Sequence, residues 1–246
     1  MSQKLDNASG LYLEGIRDGK AHEAINRYTG IRYTQHSTGV RNGTDGFIEF
    51  FEGFLERNPV RDIRILRSIV DGNFVFVQVY QNINNGEARW VTTDLFDTDQ
   101  EDRIIEHWDV ISAYEEQSGP DQIDGPTEIE DLALTDANRE AVRQFLCDVM
   151  VLGDREQVES YVDTAGLIEH RAGGSAGFLD AIGQYELVFK VIGQGNFVAA
   201  YSQIGSGPAA LARFDLFRLQ DGRIVEVWLN EEIIPPKAEW ANGGKF

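Results

Sequence analysis

Arg103-Ile104-Ile105-Glu106-His107-Trp108 returns 120 residues later as Arg223-Ile224-Val225-Glu226-Val227-Trp228. Upstream of it, Thr93-Asp94-Leu95-Phe96 returns as Phe214-Asp215-Leu216-Phe217 at a distance of 121 residues. Gly72-Asn73-Phe74-Val75 returns as Gly195-Asn196-Phe197-Val198 at 123, and Thr44-Asp45-Gly46-Phe47-Ile48 as Ser175-Ala176-Gly177-Phe178-Leu179 at 131. Tyr33-Thr34-Gln35-His36 matches Leu167-Ile168-Glu169-His170 at 134. The order never changes and the offset drifts only slowly. A period this long is a duplicated domain, not a solenoid repeat.

Between the copies, Glu115 to Asp131 carries seven acidic residues, no Lys or Arg, and the turn pairs Gly119-Pro120 and Gly125-Pro126. Like charge and turn residues read as a solvated linker. The expected division is a first domain at 1–118, a linker at 119–131 and a second domain at 132–246. Each copy has the same order of elements. Helical periodicity covers residues around 5–18 and 136–152, where Val142, Phe145, Leu146 and Val149 make an apolar stripe. Shorter helices follow near 20–28 and 154–161. Third helices are expected at 44–57 and 175–186, with Thr44 and Ser175 as N-caps. Four strand-like runs come next in the first copy, at 64–70, 74–80, 87–96 and 104–113, separated by Asp-Gly-Asn, Asn-Asn-Gly and Asp-Thr-Asp turns. Helices first and an antiparallel meander afterwards give an α+β class.

Composition narrows the function. The chain has 246 residues, 42% hydrophobic and 26% charged, which is enough to bury a core in each half. Twenty-two basic against 41 acidic residues give a net charge of −19. That charge argues against nucleic acid and anionic lipid as partners. The single cysteine, Cys147, follows Phe145-Leu146 in an apolar stretch and is expected to be a buried structural thiol. The N-terminal sequence lacks a signal-peptide core and no apolar run approaches a membrane span, so a cytoplasmic setting is expected.

Side chains alternate along a strand. In the last strand of the first copy, Ile105, His107, Asp109 and Ile111 share one face, and Ile104, Glu106, Trp108 and Val110 the other. Asp94 lies on the preceding strand, across a short turn. Ionisable groups on a core-facing surface are costly unless used. Bland alternatives stand beside this: Asp94 could cap its turn or pair with Arg89, His36 could satisfy backbone carbonyls, and the His107–Asp109 face could be the solvated one. Two His and two carboxylates could also hold a divalent metal, but no tight His spacing appears, and no metal is expected.

The Gln35-His36 pair, Asp94-Leu95-Phe96 and Glu106-His107-Trp108-Asp109-Val110 together resemble the SnoaL-like polyketide cyclases of the nuclear transport factor 2-like superfamily, which also includes ketosteroid isomerase and limonene epoxide hydrolase. The resemblance implies two tandem cone-shaped α+β barrels, cystatin-like and ketosteroid-isomerase-like, each a curved antiparallel sheet wrapped around helices. It also implies that His36 joins Asp94, His107 and Asp109 as catalytic residues, with Tyr33, Phe96 and Trp90 against the substrate. The implied reaction is proton removal α to a carbonyl, followed by aldol-type closure or isomerisation of a small apolar carbonyl compound, without cofactor. A non-catalytic ligand-binding module is the alternative. Epoxide hydrolysis is weaker, since of its Asp-Arg-Asp set only Arg89 and Asp94 can be suggested.

The second copy is an internal control. His107 aligns with Val227 and Asp109 with Leu229, while Asp215 and His170 stand where Asp94 and His36 do. The second domain is therefore expected to be degenerate, its Asp215 paired with Arg213, and the halves to associate as an internal pseudo-dimer, with further self-association open.

Overall fold

The computed structural model describes residues 2–117, 119–173 and 175–246. Ser118, where the first domain was expected to end, lies outside them. The chain forms two compact units: Met1–Ala113 with Pro235–Phe246, and Tyr114–Ile234. The acidic stretch therefore does not stand apart as a linker. Residues 119–131 belong to the second unit, and the end of the chain belongs to the first.

In the first unit, helix α1 (Gln3–Gly10) continues as a π-helical stretch, Leu11–Arg17, and is followed by α2 (Ala21–Tyr28) and, after strand β1 (Thr29–Gln35), by α3 (Gly43–Arg57). Ala8, Leu11, Tyr12 and Ile16 recur at helical spacing and are all buried. Strands β2 (Arg61–Asp71), β3 (Phe74–Ile83), β4 (Ala88–Thr98) and β5 (Ile104–Ala113) complete a sheet of order β1-β5-β4-β3-β2. The meander is antiparallel as expected, but β1 adds a strand parallel to β5 that sequence periodicity did not show. Helix α3 starts at Gly43 behind Asn42, whose side chain accepts from the Gln35 amide instead of capping the helix. Thr44 lies inside the helix. The helices and the inner sheet face share one core, including Ile25, Phe47, Val75, Val77, Val79 and Phe96.

The second unit repeats the plan. Helix α4 (Thr135–Phe145) continues as a π-helical stretch, Leu146–Val151, followed by α5 (Val158–Tyr161). Strands β6 (Ile168–His170), β7 (Tyr185–Gln194), β8 (Phe197–Ile204), β9 (Leu211–Gln220) and β10 (Arg223–Ile233) form a sheet of order β6-β10-β9-β8-β7. The chain is thus a tandem α+β duplication. The copies differ at the third helix. The helix expected at 175–186 is one 3-10 turn, Phe178–Ala181, and Ser175 spends its hydroxyl on the Ala172 carbonyl. Gly183, at φ +75°, lies against the Gly153 backbone and turns the chain directly into β7. Cys147 also departs from expectation. It is exposed, because it sits on the outer side of a stretch whose buried residues are Leu146, Val149 and Met150. Among the described residues no helix is long and apolar enough to cross a membrane.

Candidate active site

Strands β4 and β5 pair so that Asp94 faces Asp109 and Phe96 faces His107. These four side chains share the inner face, at the wall of a cavity of about 220 Å³. A β-bulge at Ile105 lies just upstream, where Glu106 pairs with Asp97 and Ile104 with Thr98. It alters the expected alternation: Ile104, not Ile105, enters the core, while His107 and Asp109 still point inward. The opposite wall is aromatic and comes from α3, as Phe47, Phe50, Phe51 and Phe54. Tyr33 and Trp90 line the cavity too.

Hydrogen bonds fix the proton inventory. His107 Nε2 lies 2.7 Å from Asp94 Oδ1, and its Nδ1 lies 2.9 Å from Gln35 Oε1. Gln35 Oε1 also accepts the Ser37 backbone N–H at 2.9 Å. A backbone N–H can only donate, so the Gln35 atom is the oxygen, and His107 Nδ1 must carry a hydrogen. One further proton then lies between His107 Nε2 and Asp94. Asp94 Oδ2 accepts from the Tyr12 hydroxyl at 2.7 Å, and that hydroxyl is 3.1 Å from Thr92 Oγ1. The imidazole is stacked on Phe96 at 4.7 Å between centroids and, more distantly, on Tyr33 at 6.4 Å. It cannot swing out without breaking both bonds.

The two carboxyls are driven in opposite directions. Burial pushes Asp94 up, and the Asp109 charge adds to this. The hydrogen bond and charge of His107 and the Tyr12 hydroxyl pull it back only in part. Burial also pushes Asp109 up, but the Lys245 ammonium, His107 and the Ser37 hydroxyl more than offset it and hold Asp109 below the ordinary carboxylate range. Burial raises the Tyr33 phenol, helped by both aspartates, so it stays protonated as a donor.

Six of the seven expected site residues line this cavity: Asp94, His107, Asp109, Tyr33, Phe96 and Trp90. His36 does not. Its Nδ1 donates to the Gly244 carbonyl at 2.7 Å, its Nε2 lies 2.9 Å from Glu106 Oε1, and its ring stacks on Trp108 at 4.9 Å. Glu106 and Trp108 belong to the outer face of β5, so His36 satisfies backbone and packing there. Arg89 is not among the lining residues, and the arginine that epoxide opening would require does not reach the cavity wall among the described residues. Among those residues no group of three His, Cys, Asp or Glu is placed to hold a metal. Sequence reading missed Tyr12, Gln35, Ser37 and Lys245. Tyr12 had a signal, a hydroxyl carried on the buried stripe of the first helix.

Residues 14–107 match the SnoaL-like domain family. The first unit carries a SnoaL-like domain. No curated protein matches the chain. Similar solved structures include a candidate polyketide cyclase from Bacillus cereus, at 18% identity and TM-score 0.41, over 45% of this chain and 74% of that one. A candidate SnoaL-like polyketide cyclase from a Jannaschia species shares 20% identity at TM-score 0.38, over 45% and 85%. AclR, a candidate hydroxylase from Streptomyces galilaeus, shares 14% at TM-score 0.39, over 46% and 90%. At these identities the likenesses name no reaction or substrate for the SnoaL-like unit.

In the second unit the matching inner-face positions of the last strand are apolar. Val227 and Leu229 pack into its core with Phe145, Phe178 and Phe217. Asp215 remains but is bound by Arg213 Nε at 2.7 Å and the Tyr185 hydroxyl at 2.7 Å. The tyrosine repeats what Tyr12 does for Asp94 in the SnoaL-like unit. Arg213, two residues before Asp215 on β9, pairs the carboxylate as His107 pairs Asp94 in the first unit, and a guanidinium does not give up its proton.

Proposed function

We propose that the SnoaL-like unit is an acid–base enzyme that removes a proton α to the carbonyl of a small apolar substrate. Asp109 is the base and the Asp94–His107 pair is the proton donor. The observation that carries this is the pair of facing carboxyls driven apart in their affinity for protons, since such a division assigns the base and the acid. Asp109 is ionised at neutral pH and takes the proton from carbon. The pair holds one mobile proton and delivers it to the carbonyl oxygen as negative charge develops there, giving an enol. Attack of that enol on a second carbonyl forms the new C–C bond of an aldol closure, with the enol hydroxyl proton returning to the Asp94–His107 pair and the Asp109 proton passing to the new alkoxide. Delivery of the Asp109 proton to a different carbon of a conjugated enol, with the hydroxyl proton again returning to the pair, gives isomerisation. No electrons leave or enter, so neither course calls for a redox cofactor. A cavity of about 220 Å³ is below the roughly 300–1,000 Å³ of drug-sized ligand sites, so the substrate is small. The second unit, with its inner face filled, is the non-catalytic copy.

The test is deuterium exchange at the α-carbon of a panel of small cyclic ketones and β-keto esters, followed by NMR in D₂O. The wild-type protein should accelerate exchange for at least one of them. Asp109→Asn, nearly isosteric, should lose about 10²–10⁴-fold of that rate while keeping its circular dichroism. Equal exchange by wild type and Asp109→Asn would refute the assignment. Line broadening of the ketones by the protein with no accelerated exchange would favour a binding module, to which the aromatic wall of α3 is equally suited.

A further inference from the structure

The chain leaves the second unit at Ile234, and residues 235–246 pack into the first. This return is anchored along its length. The Ala241 amide donates to the Thr38 carbonyl at 2.8 Å, and the Asn242 side-chain amide donates to the carbonyls of Ser37 at 2.6 Å and Val40 at 2.9 Å. Ser37 and Val40 line the cavity, so the tail holds part of its rim. The Gly244 carbonyl accepts from His36. Gly244 has φ +102°, and a Cβ there would lie 2.3 Å from the Trp240 ring, so the turn admits glycine only. Beyond that turn Lys245 runs inward. It is 3% exposed, and its Nζ donates to the Asp109 carboxylate and the Asp109 carbonyl, both at 2.9 Å.

A buried ammonium is expensive unless it is paired, and a buried carboxylate equally so. Here the two are matched at one face of the cavity. The groups around Asp109 are Lys245 from the tail, Ser37 from the β1–α3 loop, His107 on β5, Asp94 on β4, Tyr33 on β1 and Tyr12 on the first helix. Lys245 is the aliphatic cation in that set. Asp94 opposes ionisation of Asp109, and His107 divides its charge with Asp94.

We propose that the C-terminal segment 235–246 is a working part of the first unit's pocket, and that Lys245 is the positioning residue that keeps Asp109 ionised and fixed at the cavity wall. The second half of the chain, though its own inner face is filled, thereby serves the first by delivering this lysine. The proposal rests on the role given to Asp109 above, but it can be read without any substrate, so either can fail alone.

The experiment is an NMR titration of the side-chain carboxyl carbons of the full-length protein, with Asp109 assigned by comparison with Asp109→Asn. In the wild type Asp109 should titrate below the ordinary value of about 3.9. In Lys245→Met its midpoint should rise by about one to three pH units, the usual worth of an adjacent opposite charge. Lys245→Arg, which restores the charge, should return it most of the way. On any ketone that exchanges, the acidic limb of the pH–rate profile should move with the NMR midpoint. A purely structural lysine would lower the rate at all pH values without moving that limb. If Lys245→Met does not fold, Lys245→Gln takes its place, and the wild-type midpoint still decides. A wild-type Asp109 that titrates at or above 3.9, or a midpoint unmoved by neutralising Lys245, overturns the proposal.

Discussion

Arg213→Met tests the reading of the second unit without any substrate. Arg213 is 3% exposed and Asp215 is fully buried, 2.7 Å from the guanidinium Nε. The guanidinium also lies 5.7 Å from the centre of the Phe178 ring and 5.9 Å from that of Tyr185. Glu231, at 3.6 Å, is partly solvated. Among the described residues the buried Arg213 Nη2 has no hydrogen-bond partner, so the arginine itself is imperfectly satisfied. Its removal is costly because of what it leaves behind. Among the described residues Asp215 would keep the Tyr185 hydroxyl alone, and a stranded buried charge costs about 3–5 kcal/mol. Lost contact with the two rings adds about 1 kcal/mol. Removing the charge as well, in Arg213→Met with Asp215→Asn, should recover at least half of the loss. The amide oxygen still accepts from Tyr185 and no ion remains. The assay is urea unfolding at pH 7 of wild type, both single variants and the double variant, read by Trp fluorescence and circular dichroism. Should the two units unfold separately, the effect belongs to the transition of the second. A loss below about 1 kcal/mol for Arg213→Met, or a double variant no better than the single, would refute the claim that Asp215 is a locked, buried ion. That locking is one of the grounds for proposing that the second copy is non-catalytic, beside the apolar Val227 and Leu229.

Two further outcomes concern the first unit. Gln35→Leu strands the Ser37 amide and His107 Nδ1, and should cost about 1–3 kcal/mol and lower any exchange activity, whereas Gln35→Glu, which keeps the acceptor, should retain most stability; urea unfolding and NMR exchange check both. Asp109 is lowered on folding, so its stabilising contribution is present above the ordinary value near 3.9 and is lost as pH falls through its lower folded value; the stability difference between wild type and Asp109→Asn should therefore be constant from pH 7 to 5 and shrink below about pH 4, measured by unfolding at each pH.

The duplication and the strands of each copy were legible because both rest on local pattern. So were the inward faces of Asp94, His107 and Asp109, since the bulge lies upstream at Ile105 and alternation is regular from Glu106 onward. His36 was misplaced because β1 was not seen as a strand. Had it been, the same alternation that sends Tyr33 and Gln35 inward would have sent Thr34 and His36 outward. The missing third helix of the second copy also left a trace. The repeat offset falls from 131 at Gly46 and Gly177 to 123 at Gly72 and Gly195, so eight residues are lost where α3 would need them. With them go the positions that in the first unit hold Phe50, Phe51 and Phe54. Lys245 left no local signal. It meets Asp109 across 136 residues, and only the demand of a buried carboxylate for a cation could have pointed to it.

The two copies separate structure from chemistry within one chain. On the outer face both keep the same arrangement. His36 stacks on Trp108, meets Glu106 and donates to the Gly244 carbonyl. His170 stacks on Trp228 at 4.6 Å, meets Glu226 at 2.7 Å and donates to the Asp121 carbonyl at 2.9 Å. In each unit a histidine clamps a backbone carbonyl of a segment that comes, in chain order, from beyond the last strand of the other copy. That shared clamp explains why His170, Glu226 and Trp228, the counterparts of His36, Glu106 and Trp108, survive in the second copy: they hold a segment, and both copies have one to hold. On the inner face the copies diverge at two of the three positions proposed to move a proton. His107 becomes Val227, Asp109 becomes Leu229, and the acceptor that remains, Asp215, is given a cation that never releases its hydrogen. Loss of His107 and Asp109 from the inner face of the last strand, together with the aromatic third helix opposite, while the outer-face clamp is kept, is the pattern expected if the first unit alone performs the proposed chemistry.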